Sequence, residues 1–116
     1  MEKQLFLILI LTSGVMTADQ IGPNKETLII KKEDETVTLS CSYDTSESYV
    51  RLYWYRQYAN NEPQYLIFKA ARSASTSGNP SDPRFQSTTS HSSTELKITG
   101  VTLSDSALYY CALRVG

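Results

Sequence analysis

The sequence predicts an all-β fold, on three observations. Short runs of alternating apolar and polar residues recur along the chain: Val37, Leu39 and Cys41 alternate with Thr36, Thr38 and Ser40, and a period of two sends one set of side chains to each face of a strand. Clusters of Ser, Thr, Asn, Gly and Pro separate these runs, and no segment keeps a helical period over several turns. Cys41, Trp54 and Cys111 stand on three separate runs, so core-seeking residues from different strands must meet.

Thr27-Leu28-Ile29-Ile30 predicts the first strand of the domain, followed by a charged turn at residues 31–35. Residues 36–41 form the next strand, with Val37, Leu39 and Cys41 directed inward. Residues 52–58 form another. With Trp54 inward, Tyr53, Tyr55 and Gln57 fall on its opposite face, which is therefore rich in aromatic side chains. Residues 60–63 make a polar turn, and Tyr65-Leu66-Ile67-Phe68 resumes a strand. From 70 to 83 the composition shifts to Ser, Ala, Thr, Gly, Asn and Pro, which predicts a solvated loop around short edge strands. Phe85 opens the following strand, residues 87–93 read as a polar turn, and Leu96 and Ile98 alternate inward. Residues 100–105 turn the chain into a last strand at Tyr109-Tyr110-Cys111.

At 116 residues the chain has room for one domain and one core. Its formal net charge of −1, without a basic block, gives no reason to expect nucleic acid or an anionic membrane surface as partner. Residues 1–18 read as a secretory signal peptide: Lys3 supplies the positive end, residues 5–11 the apolar centre, and residues 12–18 a small-residue exit. Cleavage after Ala18 puts Met16 three residues upstream, and cleavage after Gly14 puts Thr12 there; both remain open. The domain proper then spans residues 19–116. Secretion implies an oxidising compartment, where two cysteines allow a single intramolecular pairing. No other segment is apolar for long enough to span a bilayer.

Four segments carry a family resemblance: Glu35-Thr36-Val37-Thr38-Leu39-Ser40-Cys41, Trp54-Tyr55-Arg56-Gln57, Pro63-Gln64-Tyr65-Leu66-Ile67, and Asp105-Ser106-Ala107-Leu108-Tyr109-Tyr110-Cys111-Ala112-Leu113. Together they resemble an immunoglobulin V-type domain, a Greek-key sandwich, and more specifically the variable segment of a T-cell receptor alpha or delta chain. The resemblance implies a Cys41–Cys111 bridge between strands B and F, 70 positions apart, with Trp54 packed against it. It also implies that the Tyr109 hydroxyl bonds back to the chain just upstream. The sequence ends shortly after Cys111, like a germline segment before its joining strand, so strand G is expected to be missing and an edge of the sheet open.

The resemblance also implies roles for particular residues. Hypervariable loops fall at residues 45–51 and 69–77, with the stem of a third from Ala112, and all three meet at one end of the sandwich. Within them Tyr49, Arg51, Lys69 and Arg72 are the expected ligand contacts, because aromatic and arginine side chains dominate binding energetics. Tyr55, Gln57, Pro63, Leu66 and Tyr110 are expected to face a second chain, a T-cell receptor beta chain for alpha or a gamma chain for delta. Arg84 and Asp105 resemble the family's ion pair at the opposite end, and Arg56 lies inward near them by alternation.

No catalytic constellation is present. The one histidine, His91, lies in a polar turn with no evident orienting carboxylate. With both cysteines committed to the bridge, no ligand set for a metal remains, and no cofactor is expected. Asn79-Pro80-Ser81 has proline in the middle position, which excludes asparagine glycosylation. The expected function is antigen recognition: a plasma-membrane receptor domain reached through the secretory pathway, reading peptide on a major histocompatibility molecule or a related ligand. Signalling would pass through invariant chains that associate with constant and transmembrane regions outside this sequence. Two alternatives stay open: a non-rearranging V-type innate or adhesion receptor domain, and an antibody light-chain variable segment.

Overall fold

A computed structural model describes residues 4–10, 19–22 and 27–115. Its elements in chain order are β1 (Gln4–Ile10), β2 (Gln20–Gly22), β3 (Thr27–Lys32), β4 (Val37–Asp44), β5 (Tyr49–Gln57), β6 (Gln64–Arg72), β7 (Phe85–Thr89) and β8 (Ser93–Ile98), then a 3₁₀ turn (Leu103–Asp105) and β9 (Ala107–Val115). The strands form two sheets, one of order β2-β4-β8-β7 and one of order β3-β1-β9-β5-β6. The strands are the all-β class that the alternation predicts, and their two sheets form the sandwich that the family resemblance implies.

The core lies between the sheets. From β4 come Val37, Leu39, Cys41 and Tyr43; from β5, Val50, Leu52 and Trp54; from β8, Leu96 and Ile98; and from β9, Tyr109 and Cys111. In β4 buried and exposed residues alternate strictly along the first three residues and again from Cys41 onward, as a strand with one solvated face requires. The Cys41–Cys111 bridge joins the sheets with Cα atoms 6.7 Å apart. Trp54 pairs directly opposite Cys111 on the neighbouring strand, so its ring is held beside the bridge. Its indole Nε1 donates to Thr94 Oγ1 at 3.3 Å, across the core, which satisfies the one polar atom of an otherwise apolar side chain.

Several strands run further than local composition suggests. β6 continues to Arg72 with Ala70 and Ala71 buried, so the solvated loop predicted from Ala70 begins three residues later, at Ser73. Likewise β7 extends through Thr89 with Ser87 buried, narrowing the predicted 87–93 turn to residues 90–92. Small and polar residues enter these strands because a paired neighbour, β5 or β8, satisfies their backbone whatever their side chains prefer.

The outer edge of β9 also differs from expectation. It is not open along its whole length, because β1 pairs with it in parallel, Leu7 opposite Ala107 through Ile10 opposite Tyr110. β1 also pairs antiparallel with β3. The segment that reads as the apolar centre of a leader thus lies as a strand in the position where strand G was expected to be missing.

Candidate functional site

Three regions carry the residues singled out from the sequence. At one end of the sandwich the β4–β5 connection, the end of β6 and the β7–β8 turn come together around Arg72. Its φ of +62° is in the left-handed region, which costs a non-glycine residue about 1–3 kcal/mol unless its surroundings hold it there. The surroundings do so. Arg72 Nη1 donates to the carbonyls of Thr45 at 2.6 Å and Glu47 at 2.7 Å. Nε and Nη2 donate to the carbonyl of His91 at 3.1 and 2.8 Å, and the guanidinium lies 5.2 Å from the centre of the Tyr43 ring. Next to it, the amide and hydroxyl of Ser73 both donate to Ser48 O, while the buried Thr45 hydroxyl donates to Asp19 Oδ1 at 2.5 Å.

Arg72, expected as a ligand contact, is therefore committed to binding three loops to one another. Tyr49 is 59% exposed, and Arg51 and Lys69 are also exposed. Tyr49, Arg51 and Lys69 lie on strands rather than on loops, because pairing between β5 and β6 extends to Tyr49 opposite Arg72.

The second region is the outward face of β5, β6 and β9, a continuous aromatic sheet. Tyr53 stacks on Phe68 with ring centres 5.1 Å apart and on Tyr55 at 6.2 Å; Tyr55 in turn stacks on Tyr110 at 5.7 Å and meets Tyr65 edge-on at 6.4 Å. Burial, reinforced by neighbouring phenols, raises the pKa of Tyr55 and keeps it neutral. Burial likewise raises those of Tyr65 and Tyr110. Gln57 braces the following turn through a bond from Nε2 to Asn61 O at 2.8 Å, and Pro63 is exposed in that turn.

Leu66 corrects the sequence reading. It is 1% exposed and belongs to the core, because a bulge in the β5–β6 pairing sets Ile67 opposite Trp54 and Tyr65 opposite Tyr55, leaving Leu66 between them without a partner. The outward positions on β6 belong to Tyr65 and Phe68, which the sequence pattern did not single out. Gly78 lies against this pair, where a Cβ would collide with the Phe68 ring and the Tyr65 hydroxyl.

At the far end Asp105 is 1% exposed. It accepts from Arg84 Nη1 at 2.8 Å and Nη2 at 3.0 Å, from Arg56 Nη1 at 3.1 Å and from the Thr102 amide at 2.9 Å. Burial alone would raise its pKa, but the Arg84 and Thr102 hydrogen bonds outweigh that and hold the carboxyl below its ordinary value. Tyr109 donates its hydroxyl to Asp105 O at 2.6 Å; burial pushes its pKa up to about 12, against the opposing pull of Arg56. Arg56 completes the network, with Phe85 and Tyr58 rings 5.5 and 5.2 Å from its guanidinium.

Among the described residues no group of three or more His, Cys, Asp or Glu could hold a metal ion, and no helix is long and apolar enough to cross a membrane.

Residues 24–116 match the immunoglobulin V-set domain family. The chain is 40% identical over 113 residues to T cell receptor alpha variable 18 of Homo sapiens, covering 95% of this chain and 91% of that relative. It is 39% identical over 85 residues to T cell receptor alpha variable 14/delta variable 4 of Homo sapiens, covering 72% and 71%. It is 36% identical over 107 residues to T-cell receptor alpha chain V region RL-5 of Oryctolagus cuniculus, covering 90% and 72%.

Proposed function

Because this chain belongs to the immunoglobulin V-set family, among T-cell receptor variable segments, we propose that it is the antigen-recognition domain of an alpha or delta receptor chain. The observation that carries this reading is the outward aromatic sheet of Tyr53, Tyr55, Tyr65, Phe68 and Tyr110. A stacked, neutral, partly exposed face of this kind is suited to covering by a second domain with aromatics at its centre. The partner is a receptor beta or gamma chain. Ligand contact falls to the adjoining end, where Tyr49, Arg51 and Lys69 are exposed, and the ligand is a peptide on a major histocompatibility molecule or a related molecule. The domain acts by binding, without chemistry of its own.

In this reading residues 1–18 are a leader removed during secretion to the plasma membrane. Its removal takes β1 out of the sheet and frees the β9 edge at residues 107–110 for a joining strand. Co-expression with a beta chain tests the pairing. The double variant Tyr55→Asp/Tyr65→Asp should fold but fail to form the heterodimer on size-exclusion chromatography, and undiminished assembly would overturn the reading. Sequencing transcripts beyond Ala112 then separates alpha from delta by the constant region that follows.

A further inference from the structure

Arg51 of β5 and Arg114 of β9 are directly opposite one another in the antiparallel register. Both are exposed, and among the described residues neither guanidinium makes a hydrogen bond or ion pair. Directly opposed side chains in such a pair have Cβ atoms roughly 4.5–5.5 Å apart, and like charges so placed repel. The repulsion is not relieved by an acidic neighbour on β6, since Ala70 occupies the position opposite Arg51. The two arginines line a concave site of about 280 Å³ together with Tyr49, Val50 and Val115. Its side-chain polar groups are two guanidiniums, which only donate hydrogen bonds, and a phenol. A planar guanidinium matches a carboxylate in two-point contact, and Val115 and the exposed Tyr49 ring offer apolar surface to the chain that bears it.

We propose that Arg51 and Arg114 form a binding site for a carboxylate on an acidic peptide segment. The site names the ligand chemistry at the end of the sandwich assigned to recognition, and for its biological meaning it rests on the receptor reading. Arg114 contributes alongside Arg51, although it is not among the ligand contacts expected from the sequence. With no carboxylate bound, the opposed charges make this end of the sheet less stable than it would be with one arginine, so binding and stability are linked.

The test is an NMR titration of the full chain, following the arginine Nε–H signals. The probes are a capped tripeptide Ala-Glu-Ala, its Ala-Gln-Ala counterpart and inorganic phosphate. The glutamate peptide should shift the Arg51 and Arg114 signals along one shared curve, leave Arg84 unmoved and lose affinity as salt is raised, while the glutamine peptide does nothing. Arg114→Gln should lower the affinity for the glutamate peptide at least tenfold and raise the melting temperature of the unliganded chain. Independent or absent shifts in the wild-type chain overturn the proposal, as does a response to phosphate without one to the glutamate peptide. Loss of chain pairing in the Tyr55→Asp/Tyr65→Asp test bears on the receptor reading alone, so the two can fail separately.

Discussion

Arg72 and His91, 19 residues apart, are joined by two hydrogen bonds to a single carbonyl, with Arg72 Nε and Nη2 at 3.1 and 2.8 Å from His91 O. The same guanidinium reaches the carbonyls of Thr45 and Glu47, so one side chain fixes the relative position of three surface loops. Hydrogen bonds from a charged donor are worth more than neutral ones, but this site is partly exposed and solvent screens it. Arg72→Ala should therefore cost about 1–2 kcal/mol, or several degrees in melting temperature. It should also speed amide exchange at Ser73. Arg72→Gly should be less destabilising than Arg72→Ala, because glycine accepts the +62° φ without strain. Equal losses for the two variants would mean that the backbone conformation is not held against strain.

Asp105 should contribute to loss of stability in acid. Its pKa is lowered in the folded chain, so its contribution is fully present above the unfolded carboxylate value and is lost as pH falls through the lower folded value. Wild-type stability should drop on acidification below the ordinary carboxylate pKa, and Asp105→Asn should remove much of that dependence. At neutral pH the same variant leaves Arg56 and Arg84 without their shared carboxylate, at a cost of about 3–5 kcal/mol. Urea unfolding of both proteins across the acid range measures each effect.

Tyr109 should contribute to loss of stability in alkali. Its folded pKa is pushed up to about 12, above the ordinary phenol value, so its stabilisation is complete below about pH 10 and fades as pH rises towards 12. Over that interval stability should fall by about 1.4 kcal/mol per pH unit from this group. Tyr109→Phe should flatten the alkaline slope while losing about 1–3 kcal/mol at neutral pH, because the hydroxyl leaves Asp105 O unpaired in the core. Thermal melts monitored by circular dichroism between pH 8 and 12 provide the comparison.

Gly78 lies in close contact with the aromatic face. Gly78→Ala must push the Phe68 ring aside, disturbing its stack on Tyr53. The expected result is a clear weakening of heterodimer affinity with a smaller change in melting temperature. A stable variant that pairs normally would show that Phe68 has no part in the pairing surface.

The Cys41–Cys111 bridge closes a loop of 70 residues between the two sheets. On the chain-entropy account this contributes roughly 4 kcal/mol by restricting the unfolded chain. For a single domain that is a large share of total stability. Cys41→Ala should accordingly leave little cooperatively folded protein in equilibrium unfolding at 37 °C.

Alternation in the sequence is enough to give the strand class and the inward set of Val37, Leu39, Cys41, Leu96 and Ile98, because a period of two is a local property of each strand. Family resemblance adds Trp54, Tyr109 and the Arg84–Asp105 pair, each carried by a motif of a few residues. It took the folded arrangement to turn Leu66 into the core, to set Tyr65 and Phe68 outside in its place, to tie loops together through Arg72 and to stand Arg114 against Arg51. Each of these depends on which residue a strand sets opposite another. A bulge or a shift in register changes that pairing without leaving a mark in either strand's own sequence. The seat of β1 between β3 and β9 is of the same kind: its own sequence reads as the apolar centre of a leader, and its pairing with both neighbours shows only in the folded chain.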